Sequence, residues 1–351
     1  MAIAAAPRDL VVRRDTGIAS EAALRPAIRV EAMTGTGTLA AIEAAWDDLA
    51  SNAAEPNPFF ERFMLRPALR HLAGARNVEV LAVFDGTLMT GLLPIRVHAT
   101  YRGLPLRTAQ AWVHLHCFLA TPLLRAGHER AAIRAVADHL RLRGIKVLRL
   151  RHMAADGPVA AAIDAVAADE GLGAIETRRF ERAVLRSDLD GEAYLAASIN
   201  KKRRKEYARL ERRLGDLGPV RFETADQADA AAVEGSALIF LALEASGWKG
   251  RTGTALACRR AEQQFFLDAC HAAAEQERFH PLTLVAGDTA VASIINFDGV
   301  SARGASRSRS RSTKHRPGSP PGCCWNSISR AASAGRAVCL LRTVAPTRIT
   351  R

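Results

Sequence analysis

Three clusters of residues in this chain have the types and spacing to do chemistry. The first is FLALEASGWKGRTGTALA, residues 240–257, in which Glu244 leads into a glycine-rich stretch carrying Trp248, Lys249 and Gly250. Glycines at 247, 250 and 253 allow a backbone to approach a ligand closely, its exposed amides could receive an anion, and Trp248 could wall a pocket. The spacing fits neither the dinucleotide fingerprint nor the phosphate loop that ends in Gly-Lys-Ser/Thr. The second cluster is SINKKRRKEYARLERRLGDLG, residues 198–218. Lys201, Lys202, Arg203, Arg204, Lys205, Arg209, Arg212 and Arg213 give it a strongly basic face. Such a face can neutralise phosphates of a nucleotide cofactor, a nucleic acid or an acidic membrane. A solvated helix face, with Glu206 and Glu211 offsetting part of the charge, is the plainer alternative. The third cluster is Trp112-Val-His114-Leu-His116-Cys117. On a strand the two histidines share a face, and a neutral imidazole suits general-base work near pH 7. Two histidines alone make no metal site, and no further ligands are suggested, so no metal is assigned.

These residues need elements to hold them. Residues 28–33 read as a strand and 39–49 as a helix with Leu39, Ile42, Trp46 and Leu49 on one stripe. Pro56 and Pro58 break it before a short helix to about residue 72. Strands at 78–84 and 88–97 flank Asp85-Gly86, a hairpin signal. Further strands are expected at 106–112, 118–124, 147–151 and 181–185, with helices at 131–143 and 158–170. A single helix over 194–217 opens the second half, its stripe running from Leu195 through Tyr207 to Leu217. A strand at 220–223, helices at 228–243 and 260–276, and a second hairpin (282–285 and 290–297 around Gly287-Asp288) follow. Strand–turn–strand thus recurs in both halves, and the fold class is mixed α/β, two related units in tandem.

The chain has 351 residues, 48% of them hydrophobic, enough to bury roughly two cores. No apolar run reaches the ~20 residues of a membrane span, the start carries no secretory pattern, and six cysteines form no disulfide or zinc framework. A cytoplasmic location is expected. The formal charge of +13 is local. Eleven of the 49 basic residues and none of the 36 acidic ones lie after residue 298, leaving the first 298 residues at a net +2. That tail has no hydrophobic period. Reading Cys-Cys-Trp-Asn (323–326) from each third codon base forces Leu-Leu-Glu, and its flanks permit FSPGVLLELDL, a far better packing sequence. A shifted reading frame accounts for the tail better than a native basic extension. The boundaries expected are an arm at 1–28, a first unit at 29–187, a shortened second unit at 188–298, and an unstructured basic tail at 299–351.

WDDL near Trp46 with NPFF, the strand–DG–strand unit, KKRRKEYARLERRL and above all GWKGRTGTA together resemble the CelD-like branch of the GNAT acyltransferase superfamily. These are cellulose-biosynthesis-protein-like chains related to the FemAB-type tandem-GNAT transferases. The resemblance spans about residues 30–297. It implies tandem GNAT-like domains with mixed central sheets, and transfer of an acyl group from acetyl-CoA or another acyl-CoA to a small-molecule amine or amino-sugar acceptor. It also implies continuations resembling KIAFDEA and SPGVLLELDLT, which the shifted frame permits. Glu244 is assigned as candidate base or acceptor orienter, and His114 as a second candidate base. Lys201, Arg204, Trp248, Lys249 and Gly250 match family-typical positions and are assigned to the cofactor. The usual pyrophosphate signature, Arg/Gln-x-x-Gly-x-Gly/Ala, is not visible, and with its last strands missing the chain could be inactive. The competing expectation is a nucleic-acid-binding protein using residues 198–213 and the Ser/Arg tail. That tail lacks aromatic platforms for stacking bases.

Overall fold

An edge strand and a hairpin organise each half of the chain. The computed structural model describes residues 28–101, 103–177, 189–300 and 338–344. In the first half, β1 (Arg29–Thr34) leads through α1 (Thr36–Leu39), a 3-10 turn (Ala40–Ile42) and α2 (Glu43–Ser51). The helix expected over 39–49 is therefore interrupted, yet Leu39, Ile42, Trp46 and Leu49 are all buried, as their spacing requires. Trp46 Nε1 donates to the Phe60 carbonyl at 2.9 Å, which ties α2 to the 3-10 turn Pro58–Phe60. Helix α3 (Arg62–His71) then precedes the hairpin of β2 (Glu79–Asp85) and β3 (Leu88–His98). Next come β4 (Thr108–Ala111), β5 (Leu123–Leu124), α4 (Glu129–Leu142), β6 (Val147–Arg149) and α5 (Pro158–Asp169). The sheet order is β1-β2-β3-β4-β6, with β5 also on β3. Only the β4–β6 pair is parallel, so the sheet is mixed. Strand β2 is buried without a break from Val80 to Phe84, which requires cover on both faces.

The second half starts with two helices, α6 (Gly191–Ser198) and α7 (Lys201–Gly215), where the spacing predicts one. Asn200 is the reason. The backbone turns extended at Ile199, which ends α6, and stays so at Asn200, whose side-chain oxygen accepts the Arg203 amide at 2.9 Å and caps α7. Then follow β7 (Val220–Glu223), α8 (Ala230–Ser246), α9 (Trp248–Arg251), a 3-10 turn (Leu256–Cys258) and α10 (Arg260–Ala274). The second hairpin is β8 (Phe279–Ala286) with β9 (Thr289–Asp298). The tail reading leaves β9 as an open edge. Instead β10 (Val338–Val344) pairs with it antiparallel, Val338 opposite Asp298 and Val344 opposite Ala292. VCLLRTV carries strand propensity that a composition argument about the whole tail overlooks. The second sheet is β7-β8-β9-β10, antiparallel throughout. Residues 1–27, residues 178–188 with the strand expected at 181–185, and residues 301–337 and 345–351 of the tail lie outside the described residues.

The two halves repeat one device. Arg29 on β1 pairs with Glu31 at 2.7 Å and donates to the Gly86 carbonyl in the first hairpin turn. Arg221 on β7 pairs with Glu223 at 2.7 Å and donates to the Gly287 carbonyl in the second. Each hairpin also carries a register irregularity just before its turn, at Val83/Phe84 and at Leu284/Val285. Between the halves, α3 packs against α10, Phe63 meets Phe297 with ring centroids 6.0 Å apart, and one apolar core runs through both sheets. Among the described residues, no single helix is long and apolar enough to cross a membrane.

Candidate functional site

The glycine-rich stretch after α8 is not an open loop. Helix α8 stops at Gly247 and α9 starts at once, folded back over the end of α8. Gly250 makes this possible, because a Cβ there would lie 1.7 Å from the Ala245 carbonyl oxygen. The amides of Thr254 and Ala255 then donate to the Lys249 carbonyl at 2.8 and 3.2 Å. Beneath this turn sits Glu244, only 3% exposed. Its Oε1 accepts from Lys249 Nζ at 2.6 Å and its Oε2 from the Leu256 amide at 2.8 Å. Buried carboxylates need such partners. With both oxygens engaged, Glu244 is built to orient Lys249 and the turn.

The histidines come to the same place from the first half. Residues 112–117 are not the strand their spacing suggests; β4 ends at Ala111 and a turn covers Leu115 and His116. The turn still gathers the rings, with centroids 6.1 Å apart, and the His116 amide donates to His114 Nδ1 at 3.3 Å. Phe265 of α10 stacks on His116 at 5.6 Å and meets His114 edge-on at 5.4 Å. Burial, reinforced by His116 alongside, pushes the His114 pKa down to about 3, so its imidazole is neutral at physiological pH. Burial also lowers the His116 pKa, against the pull of Glu262 and Glu244 and with the help of Lys249. His116 Nε2 lies 3.6 Å from Glu262 Oε2, too far for a hydrogen bond. It has no hydrogen-bond partner among the described residues, and neither does His114 Nε2.

Glu244, Lys249, Gly250 and His114 are thus drawn together, and the structure adds His116 and Glu262 to them. A sequence reading could pair His116 with His114 but had no means of finding Glu262, nine residues past Gly253 and on another helix. Trp248 is different: at 63% exposed it lies on the surface. Lys201 and Arg204 stand in the exposed first turn of α7 and form no ion pair among the described residues, so they are not part of the gathered cluster. Behind His116, Phe59, Met64, Leu256, Phe265, Phe266, Ala269 and Phe297 line a small apolar void. Among the described residues, no group of three or more His, Cys, Asp or Glu is arranged to hold a metal ion.

Comparison with known proteins bears on the second half. No curated protein sequence matches the chain. Among solved structures, a ribosomal-protein-alanine N-acetyltransferase from Brucella melitensis biovar Abortus 2308 is 14% identical, covering 45% of this chain and 99% of its own, with a TM-score of 0.28. An aminoglycoside N-acetyltransferase in complex with CoA is 11% identical, covering 45% of this chain and 95% of its own, with a TM-score of 0.28. A tandem GNAT protein from the clavulanic acid biosynthesis pathway is 14% identical over 77% of this chain and 74% of its own, with a TM-score of 0.31. Residues 201–301, which hold Glu244, Lys249, Gly250 and Glu262, match the family model described as acetyltransferase (GNAT) domain.

Proposed function

We propose that the protein is an N-acyltransferase that moves an acyl group from acetyl-CoA or another acyl-CoA to the amine of a small molecule, such as an amino sugar. The observation that carries this reading is the Glu244–Lys249 pair, which lies inside the acetyltransferase-matching segment and beside His116. In the reaction the amine nitrogen attacks the thioester carbonyl carbon. The C–N bond forms, the C–S bond breaks, the amine gives up a proton and the departing CoA sulfur takes one. His116 is read as the acceptor of the amine proton: burial holds its pKa down, and its buried Nε2, once reached by the amine, has no hydrogen-bond partner among the described residues to give up. Glu262, 3.6 Å away, favours the imidazolium that results. Glu244 orients Lys249, and His114 fixes the His116 backbone through its Nδ1.

The donor's phosphates lie well away from its thioester, so Lys201 and Arg204, unpaired among the described residues, keep the role of anion contacts even though they stand outside the cluster. Their chemistry fits a pyrophosphate. Exposed Trp248 and the backbone at Gly250 are the remaining candidate donor contacts. Membership of the CelD-like branch, the FemAB relationship and a part in exopolysaccharide or cellulose biosynthesis rest on the WDDL, NPFF and GWKG resemblances. The test is calorimetry with acetyl-CoA, followed by thiol-release assays over a panel of amines. His116→Gln should cut kcat by about 10²-fold or more with little change in KM. Absence of any acetyl-CoA binding by the folded chain would overturn the reading.

A further inference from the structure

Helix α7 has no buried residue, and only Glu211 and Leu214 are even half-buried. Its side chains nevertheless sort by face. At 3.6 residues per turn, Tyr207, Leu210 and Leu214 fall on one narrow stripe, which Arg203 shares, its Nε donating to the Tyr207 hydroxyl at 3.2 Å. Lys202, Lys205, Arg209, Arg212 and Arg213 spread over the opposite side. Tyr207 is 38% exposed, Leu210 39%, and Leu217 just beyond the helix 58%. Arg209 pairs with Glu206 at 2.6 Å, but Lys202, Lys205, Arg212 and Arg213 form no ion pair among the described residues. The basic arc and the apolar stripe are therefore both presented to solvent.

A merely solvated basic face would bury its apolar stripe, and this stripe buries no residue. A nucleic acid would engage the cations through phosphate contacts and leave Tyr207 and the leucines without a role. A lipid surface uses both sides of the helix: headgroup phosphates meet the lysines and arginines, while the apolar stripe enters the boundary between headgroups and acyl chains. Long basic side chains flanking such a stripe can reach up to the phosphates. We propose that α7 docks the protein on an anionic lipid surface, with the helix axis in the plane of the interface. This inference does not depend on the acyl-transfer reading.

Cosedimentation of the full chain with vesicles tests it, comparing equimolar phosphatidylglycerol/phosphatidylcholine with phosphatidylcholine alone at two salt concentrations. Salt-sensitive binding to the anionic vesicles only is expected. Reversing Lys202, Arg209 and Arg212 to Glu should weaken it at least about tenfold, and Leu210→Glu alone should weaken it severalfold. These side chains are exposed, so far-UV circular dichroism should stay unchanged in both variants, and Leu210→Glu should leave acetyl-CoA binding unchanged. Failure to bind anionic vesicles overturns the proposal. So does a result in which Leu210→Glu binds as well as the parent while a short single-stranded RNA displaces the vesicles, since that would assign the face to nucleic acid.

Discussion

Glu244 holds the Lys249 ammonium with one carboxylate oxygen and the Leu256 amide with the other, so a single buried side chain fixes both ends of the turn containing α9. The two partners are not equivalent, because Lys249 is 36% exposed and Glu244 3%. Glu244→Gln keeps an acceptor for Leu256 and should cost no more than about 1 kcal/mol of stability. Lys249→Met strands a buried carboxylate and should cost about 1–3 kcal/mol. Urea denaturation of the two variants checks the order, and a larger loss from Glu244→Gln would contradict this account.

The backward fold of α9 depends on a missing side chain. Gly250→Ala places a methyl group into the Ala245 carbonyl, and the clash can be relieved only by lifting α9 off α8. A loss of about 1–3 kcal/mol is expected, together with weakened acetyl-CoA binding. Thermal unfolding and calorimetry read the two effects separately.

The buried histidines should make the fold acid-sensitive. An unfolded histidine titrates near pH 6.5, whereas His114 in the fold titrates at about 3. Between these values the unfolded chain binds a proton that the native state refuses. Stability is therefore full above about pH 6.5 and falls as the pH drops toward 3. His116, shifted the same way by burial, adds to the trend. His114→Asn, which retains an acceptor for the His116 amide, should flatten the slope of urea midpoint against pH from 6.5 to 4. An unchanged slope would refute the assignment.

A second buried carboxylate ties the halves together. Glu61, 2% exposed, accepts from Arg278 and, at 3.0 Å, from the Val300 amide. Arg278→Met should destabilise by about 3–5 kcal/mol by leaving that charge unpaired. Adding Glu61→Gln should recover much of the loss, and a double-mutant cycle that showed simple additivity would argue against the pairing.

Strand β8 differs from β2 in one respect that bears on the tail. Its residues alternate between buried and half-buried, leaving Leu282, Leu284 and neighbouring Ile294 partly open and Phe222 37% exposed. Among the described residues, no helix follows β9 to cover that face as α4 covers β1–β3. A chain read in the shifted frame after Asp298 should replace β10 as well as supply the cover, and so raise the Tm by several degrees, about what 1–2 kcal/mol gives in a protein this size. No rise in Tm would count against a shifted frame.

Much of this architecture is legible in the sequence because short-range chemistry writes it. The hairpins follow from Asp85-Gly86 and Gly287-Asp288, the stripe of α2 from the spacing of Leu39, Ile42, Trp46 and Leu49, and α10 from its apolar period. Local competition hides other features: Asn200 cuts a continuous stripe into α6 and α7, and Gly250 turns an apparent loop into α9. The site was half visible. Glu244, Lys249 and His114 could be singled out by type. That His116 stacks on Phe265 and faces Glu262 depends on packing between residues about 150 positions apart, which no periodicity records.

The matching arginine clamps at Arg29 and Arg221 align the halves element by element, and on that alignment α3 and α10 are counterparts, each being the last helix before its hairpin. These two helices pack on each other. The junction therefore has the logic of an isologous dimer contact in which a surface meets its own equivalent, except that here one polypeptide supplies both copies. Fusion frees such an interface from having to be identical on both sides of its axis. His71 and Asp268 can meet at 2.7 Å across it, and the two copies can each contribute different side chains to a single site.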